Sequence, residues 1–280
     1  MRSKKNVWVL SIIILAVICI IGCDSDNDKP NMDFVYPLTV GNSWEYETTF
    51  TLDFDSLATY NGLNDTILYH TGSVEIIANE VIFDSLEVYN FASIMNESGN
   101  IFTGNRYYNN NDDGLFCYGH TNVSNISPKT NNNYIYIKFN NKIFNNVKDI
   151  FNYVEKAKIY NQFSKDDSIY YDLVKTLEYP LEEDNQWIYR SYDIRIDKTI
   201  IGWEEIDVPA GGFNCWKIQL TYPESSFNED VEFYDFVSPE GLVQRLIEFK
   251  QLTCIDENGN FIGYLDSTEE RYLTDYQIND

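Results

Sequence analysis

Histidine is the side chain most often used for proton transfer near neutral pH, and this chain carries two, His70 and His120. Neither stands in a motif that would supply a catalytic partner. A serine nucleophile on an α/β sheet needs a Gly-x-Ser-x-Gly turn, and the sequence has none. It also lacks a Walker loop, a Gly-x-Gly-x-x-Gly and a His-Glu-x-x-His. Carboxylates abound, with 44 Asp and Glu against 20 Lys and Arg. Among so many, a pair at glycosidase separation would arise by chance, so abundance nominates no acid/base couple. The residues Cys117, Cys215 and Cys254 fall at no Cys/His spacing that suggests zinc. The chemistry expected is therefore non-catalytic, without metal or cofactor.

One residue does have a context that specifies chemistry. Arg2, Lys4 and Lys5 precede an uncharged apolar run from Val7 to Gly22, which ends in Ile20-Ile21-Gly22-Cys23. The run is shorter than the ~20 residues of a spanning helix, and its layout is that of a secretory signal. The end of the run resembles the bacterial lipoprotein box, which implies cleavage after Gly22, diacylglycerol on the Cys23 sulfur and acylation of the new amino terminus. Several acyl chains on one residue anchor stably where one does not. Residues 23–32 are polar and acidic and read as a flexible tether. Acidic residues directly after the cysteine also resemble the surface-export signal of Bacteroidetes-type lipoproteins. The expected address is the cell envelope, with the outer membrane favoured.

The formal net charge is −24, and loss of the signal makes the mature chain more acidic still. Such a field repels nucleic acid and anionic headgroups. Tyrosine (22) and phenylalanine (17) are abundant and interspersed, a β-rich composition. An envelope compartment permits disulfides, and Cys215–Cys254 is the pairing expected, although spacing alone does not decide it.

These residues must be positioned by strands. The stretch Tyr36-Pro37-Leu38-Thr39-Val40-Gly41-Asn42-Ser43-Trp44-Glu45-Tyr46 returns as Tyr179-Pro180-Leu181-Glu182-Glu183-Asp184-Asn185-Gln186-Trp187-Ile188-Tyr189, with six of eleven positions matching. Each copy reads as a proline-marked turn launching an aromatic strand. Two similar β units follow, 33–178 and 179–280, packed as one body. Since Asp184 replaces Gly41, the second turn is expected to differ from the first.

From Trp44 the alternation is strict: Trp44, Tyr46, Thr48, Phe50, Leu52 and Phe54 share one face. Further strands are expected over 67–78 and 81–95, divided at Asn79-Glu80 with another turn near Asp84-Ser85. Others follow over 101–108, 115–118, 134–139, 170–177, 200–208, 213–222, 231–237, 242–252, 261–265 and 271–278. Residues 120–133 read as a surface loop, and 144–158 as a helix on the spacing of Val147, Ile150, Phe151 and Val154. The pair Asn258-Gly259 marks a hairpin. After Trp187 the apolar row Ile188, Tyr192, Ile194, Ile196 sets Trp187 and Tyr189 on the opposite side, so either both faces are partly covered here or a bulge shifts the phase.

The first repeat, together with Val208-Pro209-Ala210-Gly211-Gly212-Phe213-Asn214-Cys215-Trp216-Lys217 and Gly241-Leu242-Val243, is similar to a group of uncharacterised bacterial envelope lipoproteins that contain a domain of unknown function. Gly212 stands where that group often has Thr. The resemblance implies a mainly β fold of curved antiparallel sheets, remotely like the half-barrels of lipoprotein carriers, and brings no catalytic residues. On such a fold Trp44, Tyr46, Phe50, Trp187, Tyr189 and Trp216 line either a ligand cavity or the core. The function expected is a lipid-anchored envelope protein that binds an apolar ligand or a protein partner. The alternatives are a surface adhesion or glycan-binding module, or an acid-dependent hydrolase. The anchor is testable at once: globomycin should block maturation and Cys23→Ser should abolish lipid labelling, whereas unchanged processing in both would contradict it.

Overall fold

The computed structural model describes residues 34–97, 99–121, 124–125, 136–155, 169–192, 194–225, 227 and 230–279. The signal, Cys23, the tether, most of the 120–133 loop and the end of the expected helix lie outside the described residues. Residues Asp33–Asp280 form one compact unit.

The fold is mainly β, antiparallel and curved, with two short helices. The first six wall strands are β1 (Ser43–Phe54), β2 (Thr66–Ile82), β3 (Leu86–Glu97), β4 (Asn100–Asn111), β5 (Gly114–His120) and, after an insertion, β9 (Tyr170–Glu178). The insertion holds β6 (Ser124–Asn125), β7 (Tyr136–Phe139), β8 (Lys142–Phe144) and α2 (Val147–Glu155); α1 (Ser56–Tyr60) follows β1. The second six are β10 (Gln186–Arg190), β11 (Ile196–Val208), β12 (Gly211–Thr221), β13 (Val231–Ser238), β14 (Gly241–Ile255) and β15 (Phe261–Gln277). The sheet order is β10-β11-β12-β13-β14-β15-β1-β2-β3-β4-β5-β9. Two six-stranded meanders are thus joined edge to edge through the β15–β1 ladder. Between β9 and β10 no ladder is found among the described residues, and side chains tie the seam instead. Trp187 Nε1 donates to Lys175 O (2.9 Å) and Arg190 Nη2 meets Asp172 Oδ2 (3.1 Å).

The twin turns are closer copies than the sequence suggests. Gly41 N donates to Ile76 O and Ile76 N to Asn42 O; in the second copy Asp184 N donates to Ile200 O and Ile200 N to Asn185 O. Each asparagine caps its own proline: Asn42 Nδ2 donates to Pro37 O (3.0 Å) and Asn185 Nδ2 to Pro180 O (3.1 Å). The expected difference at Asp184 is therefore corrected. Asp184 takes φ +70° where Gly41 has +91°, and aspartate is among the few L-residues that tolerate this region. The Tyr179-Pro180 bond is cis.

Other expectations also need correcting. Strand β2 runs through Asn79-Glu80, which pair with Tyr89 and Val88, and the chain turns only at the second expected place, between Ile82 and Leu86 with Phe83 and Asp84 at positive φ. The polar dipeptide reads as a break because a bulge between Ile76 and Ala78 shifts the alternation. The two last expected strands are one, β15, whose polar middle, Asp266 to Glu270, continues the ladder with β1. Trp187 is buried and Ile188 is 50% exposed, the reverse of the simple alternation, with a bulge between Ile188 and Arg190. Cys117, Cys215 and Cys254 are separate buried thiols, so the Cys215–Cys254 bond is not formed. Helix α1 had no apolar period to announce it; Asp55 caps it by accepting from Ala58 N (2.7 Å).

The three motifs of the resemblance meet in one cluster. Trp44, Tyr46, Phe213, Cys215 and Val243 pack together with Tyr36, Leu38 and Val208. Trp44 Nε1 donates to Glu240 O (2.6 Å). Gly241 (φ +123°) lies so close beneath the indole that a Cβ would stand 2.8 Å from Nε1. Reciprocally, Trp187 shares a cluster with Leu115, next to Gly114 of the first half. Truncating Asn42, which also accepts from Asn279 N (2.8 Å), strands buried donors and acceptors. Asn42→Ala should lower the unfolding free energy in urea by about 1–3 kcal/mol, and the more exposed Asn185→Ala by less. Equal small losses would contradict this reading of the turn.

Candidate functional site

The interior is layered. At one end Phe50, Phe54, Phe233, Ile247, Phe249 and Leu265 pack with α2, whose Val147, Ile150, Phe151 and Val154 are all buried. Phe151 sets its edge against Phe50 (5.4 Å) and Phe249 (4.8 Å). At the other end lie the two tryptophan clusters already described. Between the layers runs a row of polar and charged residues.

Register makes that row continuous. Glu97 on β3 is opposite His70 on β2, and His70 is opposite Thr48 on β1. Thr48 faces Arg271 on β15, Arg271 faces Arg245 on β14, and Arg245 faces Asp235 on β13. Directly opposed residues share a face, and Thr48 lies on the buried face of β1 with Tyr46 and Phe50. Six neighbouring strands thus present ionisable or polar side chains inward at one level. Lys198 on β11 joins them through Asp235.

Asp235 is the hub. Arg245 Nε donates to its Oδ1 (2.7 Å) and Lys198 Nζ to its Oδ2 (3.2 Å). Burial alone would raise the Asp235 carboxyl, but Arg245 and Lys198 outweigh it and hold the group down at about 2. Lys198 is itself lowered, first by burial and then by Arg245, with Asp235 opposing. Two cations share one carboxylate, and Lys198 Nζ also donates to Thr176 O (3.3 Å). Beside them Arg271 Nη2 donates to Glu269 Oε1 (3.1 Å). His70 Nδ1 lies 3.7 Å from Glu97 Oε1, which also meets Lys148 of α2. Burial, then Lys148 and Arg271, depress His70 to about 4, so the ring is neutral at physiological pH.

Aromatic hydroxyls flank the row. Tyr46 OH donates to Leu242 O (3.0 Å), and burial pushes Tyr36 up to about 12 and Tyr46 well above its ordinary range. Tyr189 is raised by burial against the pull of Arg190, Arg106 and Arg245, and Lys198 Nζ stands 4.7 Å over its ring.

Of the six residues expected to line a cavity or the core, Trp44, Tyr46, Phe50, Trp187 and Trp216 are buried against protein. Tyr189, half-buried, borders the charged row. The row itself escaped the sequence reading, since its members are single polar residues spread over six strands. The one available signal was Thr48 on an otherwise apolar face. No group of three or more His, Cys, Asp or Glu able to hold a metal is present among the described residues. An open depression of about 440 Å³ is lined by Glu47, Tyr69, His70, Thr71, Asn96 and Gly99. No helix among the described residues is long and apolar enough to cross a membrane.

No family model and no curated protein matches the chain. Two solved structures are similar. One is a candidate lipoprotein from Parabacteroides distasonis, 16% identical, with TM-score 0.34, over 87% of this chain and 98% of that one. The other is a candidate exported protein with a YmcC-like fold from Bacteroides fragilis, 10% identical, with TM-score 0.30, over 87% and 99%.

Removing the hub leaves Lys198 and Arg245 buried without a counter-charge, so Asp235→Asn should cost about 3–5 kcal/mol in urea unfolding at pH 7. Asp235 is depressed from 3.8 to about 2, so its contribution is complete above pH 4 and fades as pH falls toward 2. The parent and Asp235→Asn should converge in stability over that window. A constant gap down to pH 2 would contradict the assignment.

Proposed function

We propose that this chain is a non-catalytic, lipid-anchored protein of the bacterial outer membrane that holds a ligand inside the ring of strands, at the level of the charged row. The supporting observation is residual exposure in the interior. Arg245 keeps 19% and Arg271 22% of its side-chain surface, with apolar layers packed on either side. Inward side chains retain surface only where neighbours do not fill the space. Tyr108 and Tyr189 are likewise half-buried, and Arg106 is exposed. Walls of phenol, guanidinium and apolar side chains suit a ligand with an apolar body and a polar group. The acidic composition and the Cys23 context favour a tethered carrier or receptor over a binder of polyanions.

The test uses the chain from residue 33 onward, which is one compact unit. Native mass spectrometry of this protein purified from its host envelope should show a mass above that of the polypeptide. The excess should disappear on denaturation and reappear in an organic extract. A bare polypeptide mass would overturn the reading in favour of a protein partner.

A further inference from the structure

Arg106 differs from every other inward-facing cation of the ring. On β4 it lies directly opposite Phe91 of β3 and His120 of β5, and Phe91 stacks on Trp44 in the interior (5.9 Å). Arg106 therefore points inward. Arg245 and Lys198 have Asp235, Arg271 has Glu269, Arg190 has Asp172 and Lys148 has Glu97. Arg106 has no carboxylate within 4.0 Å among the described residues. Its neighbours are the hydroxyls of Tyr108 and Tyr189 and the thiol of Cys117, with a hydrogen bond to Tyr108. Burial raises all three of these groups, so at physiological pH they are neutral and cannot balance the guanidinium.

Arg106 faces inward yet keeps an exposed side chain with no carboxylate beside it, so its guanidinium is accessible to an anion, and it is framed by two hydroxyls that can donate to that anion. Resting on the interior-ligand reading above, we propose that Arg106 anchors an oxyanion, a carboxylate or phosphate group carried on a short apolar body. Guanidinium N–H groups match the two oxygens of such a group side by side, and Tyr108 and Tyr189 supply further donors. Phe91, 4.7 Å from the Tyr108 ring, forms an apolar wall beside the charge. The formal charge of −24 repels free anions from outside, so the apolar body brings the group in. Charge balance points the same way: two cations share Asp235 and Arg106 has no partner, leaving the interior short of negative charge inside an acidic protein.

The experiment is calorimetric titration of the chain from residue 33 with octanoate, octyl phosphate and octanol, alongside Arg106→Gln and Arg106→Lys. At least one octyl anion should bind tenfold or more tightly than octanol, and the tighter anion identifies the head group. Arg106→Gln should erase that preference and Arg106→Lys should keep part of it. Thermal unfolding of Arg106→Gln should match the parent midpoint, since the exposed Arg106 gives up no ion pair, and the anion should raise the midpoint of the parent alone. Equal binding of all three compounds, unchanged by Arg106→Gln, would overturn the oxyanion assignment and leave an interior apolar site standing. Failure of all three to bind would overturn the interior reading itself. A markedly lower midpoint for Arg106→Gln would make the guanidinium structural and overturn the assignment.

Discussion

One carboxylate balancing two cations is the constraint on which the interior depends. Asp235, Arg245 and Lys198 sit between apolar layers that could have been continued by aliphatic residues at the same positions. Buried ion pairs of this kind add little net stability, because desolvation offsets the Coulombic gain. Arg245 and Arg271 are moreover opposed across the β14–β15 ladder, a like-charge pairing that sheets ordinarily avoid. The fold tolerates these charges because both ends are closed by dense aromatic packing. Phe151 of α2 seals one end and the Trp44 cluster the other. A protein that carries unneeded interior charge at a stability cost has a use for it, and recognition of a polar group inside an apolar sleeve accounts for the arrangement.

The scaffold around the row is built twice. Each meander opens on a Tyr-Pro-Leu turn, an asparagine bonded to the proline carbonyl, and a tryptophan whose indole donates to a main-chain oxygen. Each tryptophan packs against the other half, Trp44 over Gly241 and Trp187 in a cluster with Leu115. The halves also touch directly, where Tyr36 N donates to the hydroxyl of Tyr179 (2.9 Å). The halves differ at their shared edges. The β15–β1 junction is a full ladder, whereas the β9–β10 seam is held by Trp187, Arg190 and Asp172. Among the described residues the asymmetry leaves the side of the ring nearest Tyr189 without a ladder.

Much of this architecture was legible in the residues, and its limits are instructive. The Trp44–Phe54 alternation and the Val147–Val154 period reported burial faithfully, because each apolar face there is interrupted at most once, by Thr48. The repeat located the boundary between meanders, since a turn that buries an asparagine and a tryptophan constrains several side chains at once. What stayed hidden were features defined by register. Bulges at Ile76, Ile188 and Phe249 shift the alternation within single strands, so Asn79-Glu80 read as a break and the phase after Trp187 stayed open. The charged row is invisible in the chain order because Glu97, His70, Thr48, Arg271, Arg245 and Asp235 come together only when six strands are aligned. Asp184 misled for a different reason: its side chain tolerates a backbone conformation that the glycine of the first copy merely made obvious.

The central claim is that the interior charges serve recognition and not stability. The most direct measurement is urea unfolding of a triple variant, Lys198→Met, Asp235→Leu and Arg245→Met, against the parent chain. Volume is nearly conserved and all three charges vanish together, so no ion is left stranded. The account predicts an unfolding free energy unchanged or higher by about 1–4 kcal/mol. A loss of several kcal/mol would show that the row holds the fold together, and would contradict it.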